Sequence, residues 1–131
     1  MKLLKVLLII TAGGYAMNTY SMGYSQDYVE CMRSSNNQAN TTSVCQIKEY
    51  KYQNKRLKKL FKKNMSFSNP QEKVDLNRIQ MQWASQRELS CGLKNKKIKA
   101  LSPASIGCAL QITSSRADML EVQVANKNLR R

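Results

Sequence analysis

Four cysteines, Cys31, Cys45, Cys91 and Cys108, constrain this chain of 131 residues more than any other feature, because no histidine accompanies them. They lie 14, 46 and 17 residues apart, with no C-x-x-C pair. Zinc sites are usually built from closely spaced ligands, often with histidine, so metal ligation fits this pattern poorly. No metal and no cofactor is expected. Disulfides are the natural alternative in a chain exported to an oxidising compartment. Three connectivities are open to four cysteines, and spacing alone does not choose among them.

The N-terminus supplies the export argument. Lys2 and Lys5 form a short basic region, followed by Leu3, Leu4 and the apolar run Val6-Leu7-Leu8-Ile9-Ile10. That run is too short to span a bilayer. Gly14 and Ala16 fall where small residues precede a cleavage site, which predicts a signal peptide over residues 1–16, with a cut as late as 25 as an alternative. No later segment is apolar enough to act as an anchor, so the mature protein is expected in the periplasm or secreted, without a transmembrane anchor.

Charge is the next constraint. Lys and Arg number 22 against 8 acidic residues. Losing two cations with the leader leaves 20 against 8, a charge of +12. Such an excess favours anionic partners and says nothing about fold. In an exported protein those partners are envelope polymers, lipid headgroups or acidic proteins; nucleic acid is not expected as a partner outside the cell.

Periodicity points to an all-α fold, a small bundle of three main helices to which Asp27–Ser34 can add a short fourth at the N-terminus. The first main helix is expected from about Thr42 to Asn64, capped by Thr41, Thr42 or Ser43. Its apolar line runs through Ile47, Tyr50, Asn54, Leu57 and Phe61, widened by Val44 and Leu60. The second starts at Asn69-Pro70 with Glu72 completing a capping box, follows Leu76, Ile79 and Trp83, and stops at Gly92. The third starts at Ser102-Pro103 and carries Cys108, Ile112, Ser115, Met119 and Val122. The domain is set at residues 27–125, with 126–131 as a frayed basic tail.

Catalysis has little to work with. The commonest general base is missing, the cysteines are expected to be oxidised, and no motif activates a serine or threonine. No catalytic residues are assigned and the chain is not expected to be an enzyme. The basic stretch is the candidate binding surface: Lys48, Lys51, Lys55, Lys58 and Lys62 form one stripe, and Arg56, Lys59 and Lys63 add a second. Like charges at i, i+4 repel each other, so keeping eight cations on one helix points to an anionic partner. Lys94, Lys96, Lys97 and Lys99 extend this patch if their loop folds over the helix. Trp83 is expected as a core anchor. Arg87 and Arg116 are expected to bond carboxylates such as Glu88, Glu121 or Asp118, or carbonyls at helix ends.

The run Leu76, Gln80, Trp83, Arg87, Glu88 and Cys91 resembles the L-x-x-A-Q-x-x-W-x-x-Y-R-D-x-x-C segment of the LprI-like lysozyme-inhibitor family, with Glu88 standing for the aspartate. Cys45, Glu49-Tyr50, Leu57 and Phe61 continue the likeness upstream. Cys108, Thr113, Arg116 and Leu120 match the closing C-x(4)-T-x-x-R-x-x-x-L, so the likeness spans Tyr28 to Leu120. Asn54-Lys55, Ile79 and Gln86 depart from the pattern. The resemblance implies a secreted helical domain whose cysteines pair as neighbours, Cys31 with Cys45 and Cys91 with Cys108. It also implies non-catalytic protein binding, with lysozyme as the partner. Against that partner stands the charge: many lysozymes are themselves basic, and two cationic surfaces repel at long range.

Overall fold

The computed structural model describes residues 23–130. The predicted signal peptide lies outside the described residues. The described chain forms four helices: α1 (Gln26–Ser34), α2 (Ala39–Ser66), α3 (Pro70–Cys91) and α4 (Pro103–Leu129). A 3-10 turn at Ile98–Ala100 interrupts the loop before α4, and no strand occurs among the described residues.

Local chemistry sets most boundaries. Ser25 caps α1 by accepting the Tyr28 N–H. Asn36 and Asn37 both take positive φ and turn the chain into α2, a conformation asparagine tolerates better than most residues. At α3, Asn69 Oδ1 accepts the Glu72 N–H at 2.9 Å and Glu72 returns the bond to the Asn69 N–H at 3.0 Å. Pro70 follows, and Gly92 ends α3 in the left-handed region at φ 66°. Ser102 caps α4 ahead of Pro103.

Two expected boundaries move. α2 begins at Ala39, so Thr41, Thr42 and Ser43 lie inside the helix rather than capping it; Gln38 holds the cap position without a side-chain bond. α4 runs to Leu129, taking in most of the stretch read as a tail. Lys127 Nζ fixes that end by donating to Ser68 Oγ at 2.6 Å.

Residue pairings give the topology. Tyr50 meets Ala109 and Leu110, Leu57 meets Ala117 and Leu120, and Asn64 bonds Gln123. Numbers rise together, so α2 and α4 run parallel. α3 returns antiparallel between their ends, with Cys91 beside Tyr50 and Trp83 beside Leu57. α1 folds back on α2. The apolar core forms two clusters along the α2–α4 seam. The first joins Tyr50, Cys91, Ala109 and Leu110, with Tyr24, Tyr28, Leu93 and Ile98 packed around it. The second joins Leu57, Ala117 and Leu120, with Leu60, Phe61 and Trp83 around it.

The buried faces differ from the predicted ones. On α2, Tyr50 and Leu57 are buried as expected, but Val44 is 64% exposed and Glu49, Gln53 and Asn64 are buried instead. On α4 the buried line is Ile106, Leu110, Thr113, Ala117, Leu120 and Val124; Met119 and Val122, expected inside, are exposed. The α2–α4 seam therefore includes hydrogen-bonded polar groups, with Asn64 Oδ1 left buried without a partner, and an apolar pattern does not register them.

Both disulfides join sequence neighbours, Cys31–Cys45 and Cys91–Cys108, at separations of 14 and 17. The first pins α1 to α2, the second pins the end of α3 to α4. Cys91 is the only buried residue of α3. Replacing Cys91 and Cys108 together by Ala should lower stability by about 3 kcal/mol through loss of the closed loop. Urea midpoints of the two proteins under non-reducing conditions check this.

Tyr24 and Tyr28 add a pH dependence. Burial, reinforced for Tyr24 by the charges of Glu49 and Asp118, raises its pKa above the ordinary 10.0. Burial raises Tyr28 as well, with Tyr24 and Glu49 adding to the effect and a Gln46 hydrogen bond opposing it. The folded state then holds these protons more tightly than the unfolded chain. Their contribution is complete below the unfolded pKa and disappears as pH rises through the folded one. Denaturation midpoints should fall as pH rises above the ordinary tyrosine value of 10.0, and fall less in Tyr24→Phe.

Candidate functional site

Three features of α2 organise the candidate surface: its outer lysines, the polar line it buries, and its junction with α3. Helical geometry turns Lys48, Lys51, Lys55, Lys58, Lys59, Lys62 and Lys63 away from Gln53, Leu57 and Asn64, and all seven are exposed. Among the described residues, none of the seven has a carboxylate within 4.0 Å. They form an uncompensated cationic face on a rigid rod.

Arg56 does not belong to that free face. Its side chain is only 16% exposed, and it pairs with Asp118 at 2.8 Å and Glu121 at 2.6 Å on α4. Burial opposes its charge, but the hydrogen bonds and charges of those two carboxylates outweigh burial and raise its pKa above the ordinary value. Arg56 Nη1 also donates to Gln53 Oε1 at 3.1 Å. Gln53 Nε2 donates in turn to Glu49 Oε1 and to the Gly23 carbonyl, both at 2.8 Å. Glu49 completes the chain by accepting from Ser25 N at 2.8 Å and Ser25 Oγ at 2.6 Å. Glu49 is 2% exposed and Gln53 fully buried. The one acid in the basic stretch is therefore an internal anchor for the segment that enters α1. Gly23 passes so close to Asp118 and Arg56 that a side chain there would collide with them, and its φ of 61° suits glycine.

The loop carrying Lys94, Lys96, Lys97 and Lys99 is anchored by Leu93 and Ile98 on the first core cluster, and its lysines are exposed. Among the described residues, no ion pair joins them to the α2 face.

The motif residues converge on α3. Arg87 Nη1 donates to Asn54 Oδ1 on α2 and Thr113 Oγ1 on α4, each at 2.9 Å. Its guanidinium lies 4.7 Å from the Trp83 ring centroid and 5.7 Å from that of Tyr50. One side chain thus touches all three long helices. Arg116, 6% exposed, donates from Nε to Gln80 Oε1 at 3.1 Å, and burial lowers its pKa from the ordinary value. The expected carboxylate partners of Arg87 and Arg116 are replaced by neutral amide, hydroxyl and aromatic groups, because Asp118 and Glu121 are taken by Arg56. Glu88 is exposed, and its carbonyl oxygen accepts the Gly92 and Leu93 N–H groups at the helix end. Leu76 is half-buried and lines a groove between α3 and α4 with Glu72, Asp75, Ile79 and Lys127.

The apolar line drawn through Asn54 does not register its bond to Arg87, nor the burial of Glu49 and Gln53. The sequence does carry a signal for them: Glu49, Gln53 and Arg56 recur at steps of four and three beside Tyr50 and Leu57. The described residues contain no group of three His, Cys, Asp or Glu placed to hold a metal. No described helix is long and apolar enough to cross a membrane.

Arg87→Met keeps the length and removes both hydrogen bonds and the ring contacts. Hydrogen bonds to a charged group contribute about 1.5–3 kcal/mol, so a loss of about 3 kcal/mol is expected with both disulfides intact. Arg87→Lys should recover only part, since one ammonium cannot reproduce the planar fork between two rings. Thermal melts followed by Trp83 fluorescence check both variants.

No curated protein and no solved structure matches the chain. The family model described as lysozyme inhibitor LprI matches residues 31–120. That span opens at Cys31, contains both disulfides, and ends at Leu120 in the second core cluster. With the motif residues joined around Arg87 and most of the chain covered, the protein belongs to the lysozyme inhibitor LprI family.

Proposed function

We propose that this chain is an exported binding protein of the envelope, periplasmic or secreted, that acts on a partner protein without catalysis, a muramidase of the lysozyme type being the first candidate. The observation that carries this reading is the family match over residues 31–120. Two disulfides among the described residues fit an oxidising compartment outside the cytoplasm. All four cysteines are bonded and histidine is absent from the sequence, which removes the usual thiolate and imidazole chemistry.

A second reading is favoured by a specific observation, the seven exposed lysines of α2 without carboxylate partners. It makes α2 an electrostatic docking face for an anionic envelope component, polymer or lipid. Such binding is screened over a Debye length of about 8 Å at physiological ionic strength.

One assay separates the readings. Muramidase turnover is measured with wild type and with a Lys55, Lys58, Lys59, Lys62→Gln variant across a salt series. Under the first reading wild type slows turnover saturably. The variant, matched in helix content and melting, does so equally or better, because repulsion between two cationic proteins is reduced. Absence of inhibition at every salt concentration, with salt-sensitive retention on lipopolysaccharide or anionic vesicles, would select the second reading.

A further inference from the structure

The lysines of α2 are not equivalent. Lys55, Lys59 and Lys63 rise from the same side of the helix and line a groove of about 470 Å³ between α2 and α4. Tyr52 and Leu60 contribute apolar surface to it, Arg56 also lines it, and Glu121 stands in the wall, sharing Arg56 with Asp118. Tyr52 is 50% exposed, an unusual position for an aromatic ring beside a ladder of cations. Lys51, Lys58 and Lys62 lie on the other flank and take no part in the groove.

From this arrangement we propose that the α2–α4 groove is a docking site for an acidic, extended segment of a partner polypeptide. The proposal rests on the electrostatic reading of α2 and names the partner for its grooved flank. Positions four apart on a helix are separated by about 6 Å along its axis. Alternate residues of an extended chain are separated by about 6.7 Å, and their side chains point the same way. Carboxylates at every second residue can therefore meet Lys55, Lys59 and Lys63 in turn. Tyr52 offers the aromatic contact on which protein interfaces tend to concentrate their energy. Glu121 distinguishes a peptide from a lipid tail: its carboxylate can accept a backbone N–H, whereas against an acyl chain it would lose solvation with nothing in return. Muramidase contact, if it occurs, would lie elsewhere, since a cationic enzyme is repelled by this row.

The test is direct binding by fluorescence anisotropy at low salt. One labelled hexapeptide alternates aspartate and serine; its isomer carries the three aspartates as a block. Full-length mature protein with its disulfides intact is used throughout, with circular dichroism and melting as controls for folding. The alternating peptide is expected to bind several-fold more tightly than its isomer. A Lys55, Lys59, Lys63→Gln variant should lose roughly tenfold or more in affinity, and Lys51, Lys58, Lys62→Gln less than roughly threefold. Tyr52→Ala should weaken binding at unchanged net charge. Equal binding of the two peptides, or equal losses in the two triple variants, would show diffuse attraction and overturn the proposal. Retention on phosphatidylglycerol vesicles without peptide binding would also overturn it while leaving the electrostatic reading of α2 standing. Binding to neither peptide nor vesicle would remove both.

Discussion

The position of α3 depends on one cation held between two rings. Apart from Cys91, α3 buries none of its residues completely, and its apolar groups are spread around it, with Val74, Met81 and Leu89 exposed. Hydrophobic area alone does not define how such a helix sits. Arg87 does so by geometry: its bonds to Asn54 and Thr113 and its place between Trp83 and Tyr50 fix the rotation and height of α3 against both partners. The disulfide at Cys91 then holds one end, and the Arg116–Gln80 bond supports the middle. A covalent link limits separation, while the directional bonds select one arrangement within that limit.

The seam between α2 and α4 follows a related logic. Ser25, Glu49, Gln53, Arg56 and the two carboxylates of α4 form a continuous hydrogen-bonded line. Each buried polar group in it is matched, which turns a costly burial into a specific one. The same line ties the entrance of α1 to the middle of α4. With Arg56 engaged by two carboxylates, the free cations on the outer face of α2 are lysines, and Tyr52 stands exposed among them.

The sequence disclosed the elements whose causes are local. Asn69, Pro70, Glu72 and Gly92 set the limits of α3 through contacts within a few residues, so those limits could be read directly. The outward lysines were also legible, because helical spacing alone separates them from Tyr50 and Leu57. The family resemblance implied the neighbouring disulfides, and its motif marked Arg87 as a structural group. Apolar periodicity did not reveal the buried line of α4: Met119 and Val122 are as apolar as Leu120 and Val124, and the choice is made by what α2 presents. The pairing of Arg56 is hidden for the same reason, since its carboxylate partners lie far along the chain.

The arrangement of the disulfides has a kinetic meaning. Each bridge joins two consecutive cysteines, so no bridge encloses or crosses the other. A polypeptide presented to an oxidant from its N-terminus exposes Cys31 and Cys45 before either later thiol, and then Cys91 and Cys108 as a second pair. Pairing in order of appearance is already the native pairing. Thiol–disulfide exchange, which corrects out-of-order bridges slowly, has no error to correct. A chain with this layout can complete its covalent framework as it emerges, without an isomerase to rearrange it.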